Sequence, residues 1–428
     1  MAAGRWQRRG TWLGIGALCA LLAGIVLLNL WPYGPVRPHF SQVAAVEGAQ
    51  FRRDAGALLG APVDDGNAVT PLQDGAQVFP AMLAAIATAR HSINLETYIF
   101  QSGEVAERFV AALTERARAG VEVRMLVDWL GSRGLPREVV DRLRSGGVHF
   151  AYFHPLHWYT LDRVNHRTHR KLLVIDGDVA FIGGSDIADA WLGDGTQARR
   201  WRDVQFRVQG PAAARMQAVF ADNWRISTGE VLLGPDYFPA VPPAGNLPVQ
   251  VVAGAPGRDT STMQRLYLLA IDGARHSIDL EAAYFVPDDL TRAALLDAMR
   301  RGVRLRLVLP GPYSDSRIVR AASRAGWGEL LRAGARIYRY QPALFHNKLM
   351  VVDRYLTIAG SANFDDRSFK LNDEANIEVY DHAFAAHMTQ VIDADIRRSR
   401  ELSLQDWRGR PWWQRMLDWC AAQASAQL

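Results

Sequence analysis

The sequence predicts a duplicated α/β domain preceded by one N-terminal transmembrane helix. Three observations carry the prediction. Residues Trp12 to Trp31 are twenty uncharged, mostly apolar residues, about 30 Å as a helix and enough to cross a bilayer core. The run Ala89-Arg90-His91-Ser92-Ile93-Asn94-Leu95-Glu96 returns as Ala274-Arg275-His276-Ser277-Ile278-Asp279-Leu280-Glu281, 185 residues later. The spacing H-x-K-x4-D occurs twice, as His169, Lys171 and Asp176 and as His346, Lys348 and Asp353.

At 428 residues, 49% hydrophobic and 22% charged, the chain has a globular composition with enough length for two cores. That composition excludes a disordered chain. The formal net charge of +5 suits an anionic partner and does not choose between lipid headgroups and nucleic acid. Lys171, Lys348 and Lys370 are the only lysines, and every other basic side chain is arginine. Two of three lysines therefore fall in the repeated motifs, where a compact ammonium is wanted rather than a planar fork. Cys19, inside the apolar run, and Cys420 suggest neither a disulfide framework nor a metal site.

Along the chain, residues 1–34 read as the membrane anchor, longer than the h-region of a signal peptide. Arg5, Arg8 and Arg9 precede the apolar run and Arg37 alone follows closely, so the positive-inside rule leaves the body of the protein outside the cytoplasm. In a bacterium that is a single-pass inner-membrane protein with periplasmic domains. Residues 35–233 form the first domain, 234–248 a linker rich in Pro and Gly, and 249–428 the second domain. The repeat keeps its elements in order. A helix-like run ending Ala119-Gly120 before VEVRMLVD matches one ending Arg301-Gly302 before VRLRLVLP, and Gly147 before VHFAYF matches Gly334 before ARIYRY. A repeat this long is a duplicated domain and not a solenoid. The tail carries Trp407, Trp412, Trp413 and Trp419, read as packed on the domain in preference to lying in a membrane interface.

The second motif runs FHNKLMVVDRYLTIAGSANFDDRSFKLNDE, and the first is HRKLLVIDG followed by Gly183, Gly184, Ser185 and Asp186. Alternation along a strand puts each histidine and its lysine on one face. Asp176 and Asp353 lie an odd number of positions away, on the other face, and read as structural. Duplicated domains that pack about a pseudo-twofold axis bring both motifs to one interface. Two lysines there offset the charge of a phosphodiester, with Ser361 and Asn363 as further donors and no metal or other cofactor required. One histidine attacks phosphorus while the other, protonated, donates to the departing alkoxide. Each imidazole needs an orienting carboxylate. Aligning DVQFRV with EANIEV places Asp203 opposite Glu374, so Asp203 is assigned to His169 and Glu374 to His346. Glu96 and Glu281, inside apolar strands, must be paired or close to the site.

These motifs resemble the phospholipase D superfamily and, within it, the bacterial cardiolipin synthases, over nearly everything after the apolar run. HRKLLVIDGDVAFIGGSDIAD, PGPYSD, GELLRAGARIYRYQP, HNKLMVVD and GSANFDDRSFKLNDE carry the likeness. The resemblance implies two tandem α/β/α domains sharing one site built on His169, Lys171, Asp176, His346, Lys348 and Asp353, with a phosphohistidine on His169 and His346 as acid and later base. It implies transfer of a phosphatidyl group from one phosphatidylglycerol to another, with release of glycerol. The partners implied are phospholipid and membrane, and not nucleic acid. A hydrolase, or a transferase using ethanolamine or another alcohol, is the nearest alternative; a nuclease and an inactive lipid-binding module rank below. The stretch Tyr152 to Tyr159, aromatic and apolar, is a candidate for the headgroup layer. Two departures stand out: Asp186 replaces the usual Asn, and Gly184 occupies the position of Ser361. The second half-site is thus expected to hold the phosphate and supply the acid.

Overall fold

A computed structural model describes residues 16–17, 20–21, 40, 42–156, 158, 163–256 and 262–423. The expected membrane span lies outside the described residues except at 16–17 and 20–21, as do Arg5, Arg8, Arg9 and Arg37. Among the described residues no helix is long and apolar enough to cross a membrane.

The predicted strands are buried on both faces, which is why they read as continuous apolar runs. In Leu172–Ile175, Leu173 and Ile175 join one core while Leu172 and Val174 join another. The equivalent strand Lys348–Val352 divides in the same way, Met350 and Val352 on one side, Leu349 and Val351 on the other. Helices cover the outer face of the first copy through Val78, Phe79, Phe109 and Leu143. The inner layer holds the helices Pro211–Thr228 and His382–Arg397, whose Met216, Met388 and Ile392 share one core with Phe206, Val208, Ile377 and Val379. Both copies therefore contribute to a common layer.

In each copy three parallel strands, Ser92–Thr97, Glu122–Asp128 and His149–Phe153 in the first, continue into an antiparallel set. Ser277–Ala282, Arg304–Pro310 and Arg336–Tyr340 repeat this in the second. The helix-to-strand turns at Gly120 and Gly302 have φ of 90° and 95°, conformations that favour glycine and explain why the repeat retains it. The two half-sheets join where Val63–Gln73 pairs antiparallel with Leu247–Gly254, giving a single sheet of 16 strands. Residues 40 to 428 accordingly form one unit.

Two features depart from the sequence reading. The helix Ala49–Leu59, placed with the first domain, buries Phe51, Ala55 and Leu59 against Tyr267, Ile271 and Tyr380 of the second copy. Its apolar face completes a core that the second copy leaves open. The helix Trp412–Gln423 was expected to pack its tryptophans inward, yet Trp412, Trp413 and Trp419 are exposed. Asp418 is its only buried side chain, held by Arg324 and Arg410 at 2.7 and 2.6 Å, so a charge network seats the helix and its apolar face points outward.

Candidate active site

Two short parallel pairings across the copies build the site. Arg167–Thr168 pairs with the start of Asn372–Tyr380, setting Thr168 beside Asp373, and the His169 N–H then donates to the Asp373 carbonyl at 2.8 Å. Trp201–Arg202 pairs with Leu344–Phe345, setting Arg202 beside Phe345, and the His346 N–H donates to the Arg202 carbonyl at 2.8 Å. One residue further on, each histidine meets a carboxylate of the other copy. His169 Nδ1 lies 3.0 Å from Glu374 Oε1, and His346 Nδ1 lies 2.7 Å from Asp203 Oδ2.

The assignment made from the sequence is therefore exchanged. Alignment of the repeats correctly matches Asp203 to Glu374, but the cross-copy strand register carries each past its own histidine to the partner's. Both imidazoles are held through Nδ1, which leaves Nε2 for chemistry.

The two pairs differ in strength. Glu374 is fully buried and accepts from Ser361 Oγ at 2.5 Å, Ser368 Oγ at 2.7 Å and Asn372 Nδ2 at 3.3 Å. Burial opposes its ionisation, but His169, Lys171 and Ser361 outweigh it and hold the carboxyl below the usual range. Ser361, expected to donate to phosphate, instead spends its one proton on Glu374; it serves the His169 half of the site. Asn363 keeps a buried Oδ1 without a partner, while its backbone N–H donates to Ser368 Oγ. Asp203 accepts from Trp191 Nε1 at 2.8 Å and from the Val204 N–H at 2.9 Å. Its burial outweighs Lys348 and pushes the carboxyl up to about 6. The departure at Gly184 follows from this geometry, since a Cβ there would fall 2.3 Å from Asp203 Oδ1. A serine at that position is excluded, and the Trp191 indole supplies the missing donor. Sequence reasoning missed Trp191, because nothing in ADAWLGDG marks it before the fold closes over it.

Both lysines reach back to the carbonyl of the histidine two residues earlier, at 2.8 Å in each case. Beyond that they diverge. Lys171 Nζ lies 3.4 Å from Asp186 Oδ2 and 5.3 Å from the centre of the Tyr98 ring. Asp186 Oδ1 also accepts from Thr97 Oγ1, Tyr98 N and Ile99 N at 2.7, 3.0 and 3.0 Å. The negative charge that Asp186 brings close to the lysine is thus balanced by a cation and three donors. The second copy has neutral Asn363 at the position matching Asp186, and Lys348 sits 3.1 and 3.2 Å from the ring nitrogens of His346. Burial, opposed by Asp203 and reinforced by Lys171, pushes Lys348 down to about 8. Burial and then Lys348 drive His346 well below the ordinary histidine value. Burial also lowers His169, against the pull of Glu374. Burial thus biases both imidazoles toward the neutral form.

Asp176 and Asp353 are not brought to this centre. Asp176 accepts the N–H groups of Arg90, His91 and Ser92 at 2.8, 2.7 and 2.8 Å, and Asp353 those of Arg275, His276 and Ser277 at 2.7, 2.7 and 2.8 Å. They tie the motif turn to the start of the neighbouring strand. Glu96 and Glu281 are paired beneath the motifs: Glu96 accepts from Thr168 Oγ1 at 2.5 Å and Asn223 Nδ2 at 2.7 Å, and Glu281 from Asn347 Nδ2 at 2.6 Å. Among the described residues no group of three or more His, Cys, Asp or Glu could hold a metal ion.

A family profile described as "Cardiolipin synthase, PLD-like domain" matches the chain twice, over residues 82–224 and 267–396. The chain belongs to this cardiolipin synthase family. A cardiolipin synthase of Geobacillus kaustophilus is 36% identical over 353 residues, covering 82% of this chain and 70% of that protein. The major cardiolipin synthase of Bacillus subtilis is 34% identical over 357 residues, with coverages of 82% and 73%. Among solved structures, the phosphatidylserine synthase of Haemophilus influenzae superposes with a TM-score of 0.68 at 13% identity, over 89% of this chain and 100% of that one. That likeness shows the α/β fold, and the profile match identifies two phospholipase D-like domains within it.

Proposed function

We propose that the chain transfers a phosphatidyl group from one phosphatidylglycerol to a second, through a phosphohistidine on His169. The observation that carries the reading is the pair of buried imidazoles, each tied through Nδ1 to a carboxylate of the opposite copy and each accompanied by a lysine. Relatives named cardiolipin synthase support the choice of substrate.

In the first step the lone pair of His169 Nε2 attacks phosphorus. The bond from phosphorus to the glycerol headgroup oxygen breaks, and that oxygen takes a proton from His346 Nε2. In the second step neutral His346 removes the proton from a terminal hydroxyl of the second phosphatidylglycerol. The hydroxyl oxygen attacks phosphorus, the P–N bond breaks, and cardiolipin leaves with His169 restored. The unequal surroundings favour these roles. An ionised Glu374 stabilises positive charge on His169 as it bonds to phosphorus, whereas burial and the neighbouring Lys348 ammonium, which hold His346 well below the ordinary histidine value, leave its proton easier to give up. His346 must first be protonated, and the substrate helps: a phosphodiester draws Lys348 away from the imidazole and offsets its charge.

The apolar run 12–31 supports a single-pass anchor in the bacterial inner membrane with the catalytic body in the periplasm. Protease digestion of the C-terminal domain in intact spheroplasts tests that orientation; complete protection contradicts it. Purified protein supplied with phosphatidylglycerol should release glycerol and cardiolipin, and His169→Ala and His346→Ala should each lower the rate by about 100-fold or more. Phosphatidic acid without cardiolipin contradicts the transfer reading, and full turnover by both variants contradicts the mechanism.

A further inference from the structure

The helix Trp412–Gln423 has no buried apolar residue, although Trp412 is 73%, Leu417 53% and Trp419 63% exposed. It is not a loose tail. Asp418 anchors it to Arg324 and Arg410, and Ala421 packs against the cluster of Val286, Val319 and Ala322, as does Tyr284. That cluster adjoins the candidate site: Ala283 N–H donates at 2.9 Å to the carbonyl of Asn347, the residue between His346 and Lys348. The Tyr284 hydroxyl donates to Asp315, and Tyr313 and Ile318, two residues before Asp315 and three after it, are exposed. Exposed apolar side chains thus occur both close in sequence to Asp315, the partner of Tyr284, and on the helix Trp412–Gln423.

Its rim is cationic. Arg317, Arg320, Arg339 and Arg415 have no carboxylate within ion-pair distance among the described residues. The Nε atoms of Arg320 and Arg339 are buried without an acceptor. After burial, the neighbouring guanidinium groups are what lower the proton affinity of both, a sign of mutual repulsion left unneutralised. Tryptophans at an apolar–polar boundary beside unpaired arginines match a bilayer surface bearing anionic headgroups. A second copy fits poorly, because an isologous contact would set these arginines against themselves.

We infer that the helix Trp412–Gln423 and its arginine rim dock on an anionic lipid bilayer and hold the site mouth at the headgroup layer. The inference rests on the lipid substrate proposed above. Cys420 is exposed on this helix and accepts an environment-sensitive fluorophore in full-length protein carrying Cys19→Ser. With vesicles of phosphatidylcholine mixed with phosphatidylglycerol, the probe should shift to the blue and be quenched by brominated acyl chains; with phosphatidylcholine alone it should not. The combined substitutions Trp412→Ala, Trp413→Ala, Trp419→Ala and Arg415→Glu should abolish the shift and lower turnover of vesicle phosphatidylglycerol about tenfold. Turnover of monomeric short-chain phosphatidylglycerol should stay unchanged. No quenching in the parent, equal quenching on both vesicle types, a lipid-free shift that grows with protein concentration, or an equal loss on monomeric and vesicle substrate each overturns the inference. Quenching on anionic vesicles by a parent that turns over neither substrate supports docking and removes the proposed activity instead.

Discussion

Replacing Ser361 by alanine separates two roles that the same residue might be given. The hydroxyl donates to fully buried Glu374 at 2.5 Å and accepts from the Ala375 N–H at 3.0 Å. A hydrogen bond to a buried charge is worth about 1.5–3 kcal/mol, and a neutral one about 1 kcal/mol. Ser368 and Asn372 still donate to the carboxylate, so Ser361→Ala should cost about 2–3 kcal/mol of stability at neutral pH. The pH dependence has a definite sign. Glu374 has a lowered folded pKa, so its contribution is present above the unfolded value and lost as pH falls through the folded one. The variant removes one of the groups that lower the folded pKa, so stability should begin to fall at a higher pH than in the parent. Ser368 and Asn372 still hold the carboxylate against His169, and KM for phosphatidylglycerol should change less than about twofold. Urea unfolding at neutral and acidic pH, with steady-state kinetics, measures both. Unchanged stability with a KM raised about tenfold would refute the reasoning, because that is the signature of a phosphate donor.

Asp353→Ala removes the acceptor of three backbone N–H groups and should cost about 3–5 kcal/mol, while the folded fraction keeps its kcat within about threefold. Denaturant unfolding with active-site titration checks this; normal stability with lost turnover contradicts it. Lys348, pushed down to about 8, loses its charge as pH rises through that value. Accordingly kcat/KM should fall about tenfold per pH unit above it. At saturating substrate the bound phosphate retains the proton, so the limb in kcat lies higher. A pH–rate profile flat to about pH 10 contradicts the assignment of that charge.

Much of the fold was legible because its signals are local. Apolar runs such as Leu172–Ile175 and the glycines at 120 and 302 are set by burial on both faces and by backbone conformation, so they recur in both copies. His169, Lys171, His346 and Lys348 were legible because the duplication singles them out. The orienting pairs were not, since Glu374 reaches His169 only through the pairing of Thr168 with Asp373, a contact between copies that internal alignment does not contain. Trp191 and Gly184 illustrate the same limit: each is explained by Asp203, which neither adjoins in sequence. The outward face of Trp412–Gln423 escaped for another reason. Its seating depends on Asp418 meeting Arg324 and Arg410, while periodicity alone registers an apolar stripe without saying what covers it.

The exchange of carboxylates between copies is tested most directly by the leaving group. With a nitrophenyl phosphodiester, departure needs no proton donor, so loss of the acid is repaired while loss of the nucleophile is not. The burst of nitrophenol that accompanies phosphohistidine formation should survive in His346→Ala and Asp203→Asn and vanish in His169→Ala and Glu374→Gln. If Glu374→Gln keeps its burst and Asp203→Asn loses it, each carboxylate serves the histidine of its own copy and the account is wrong.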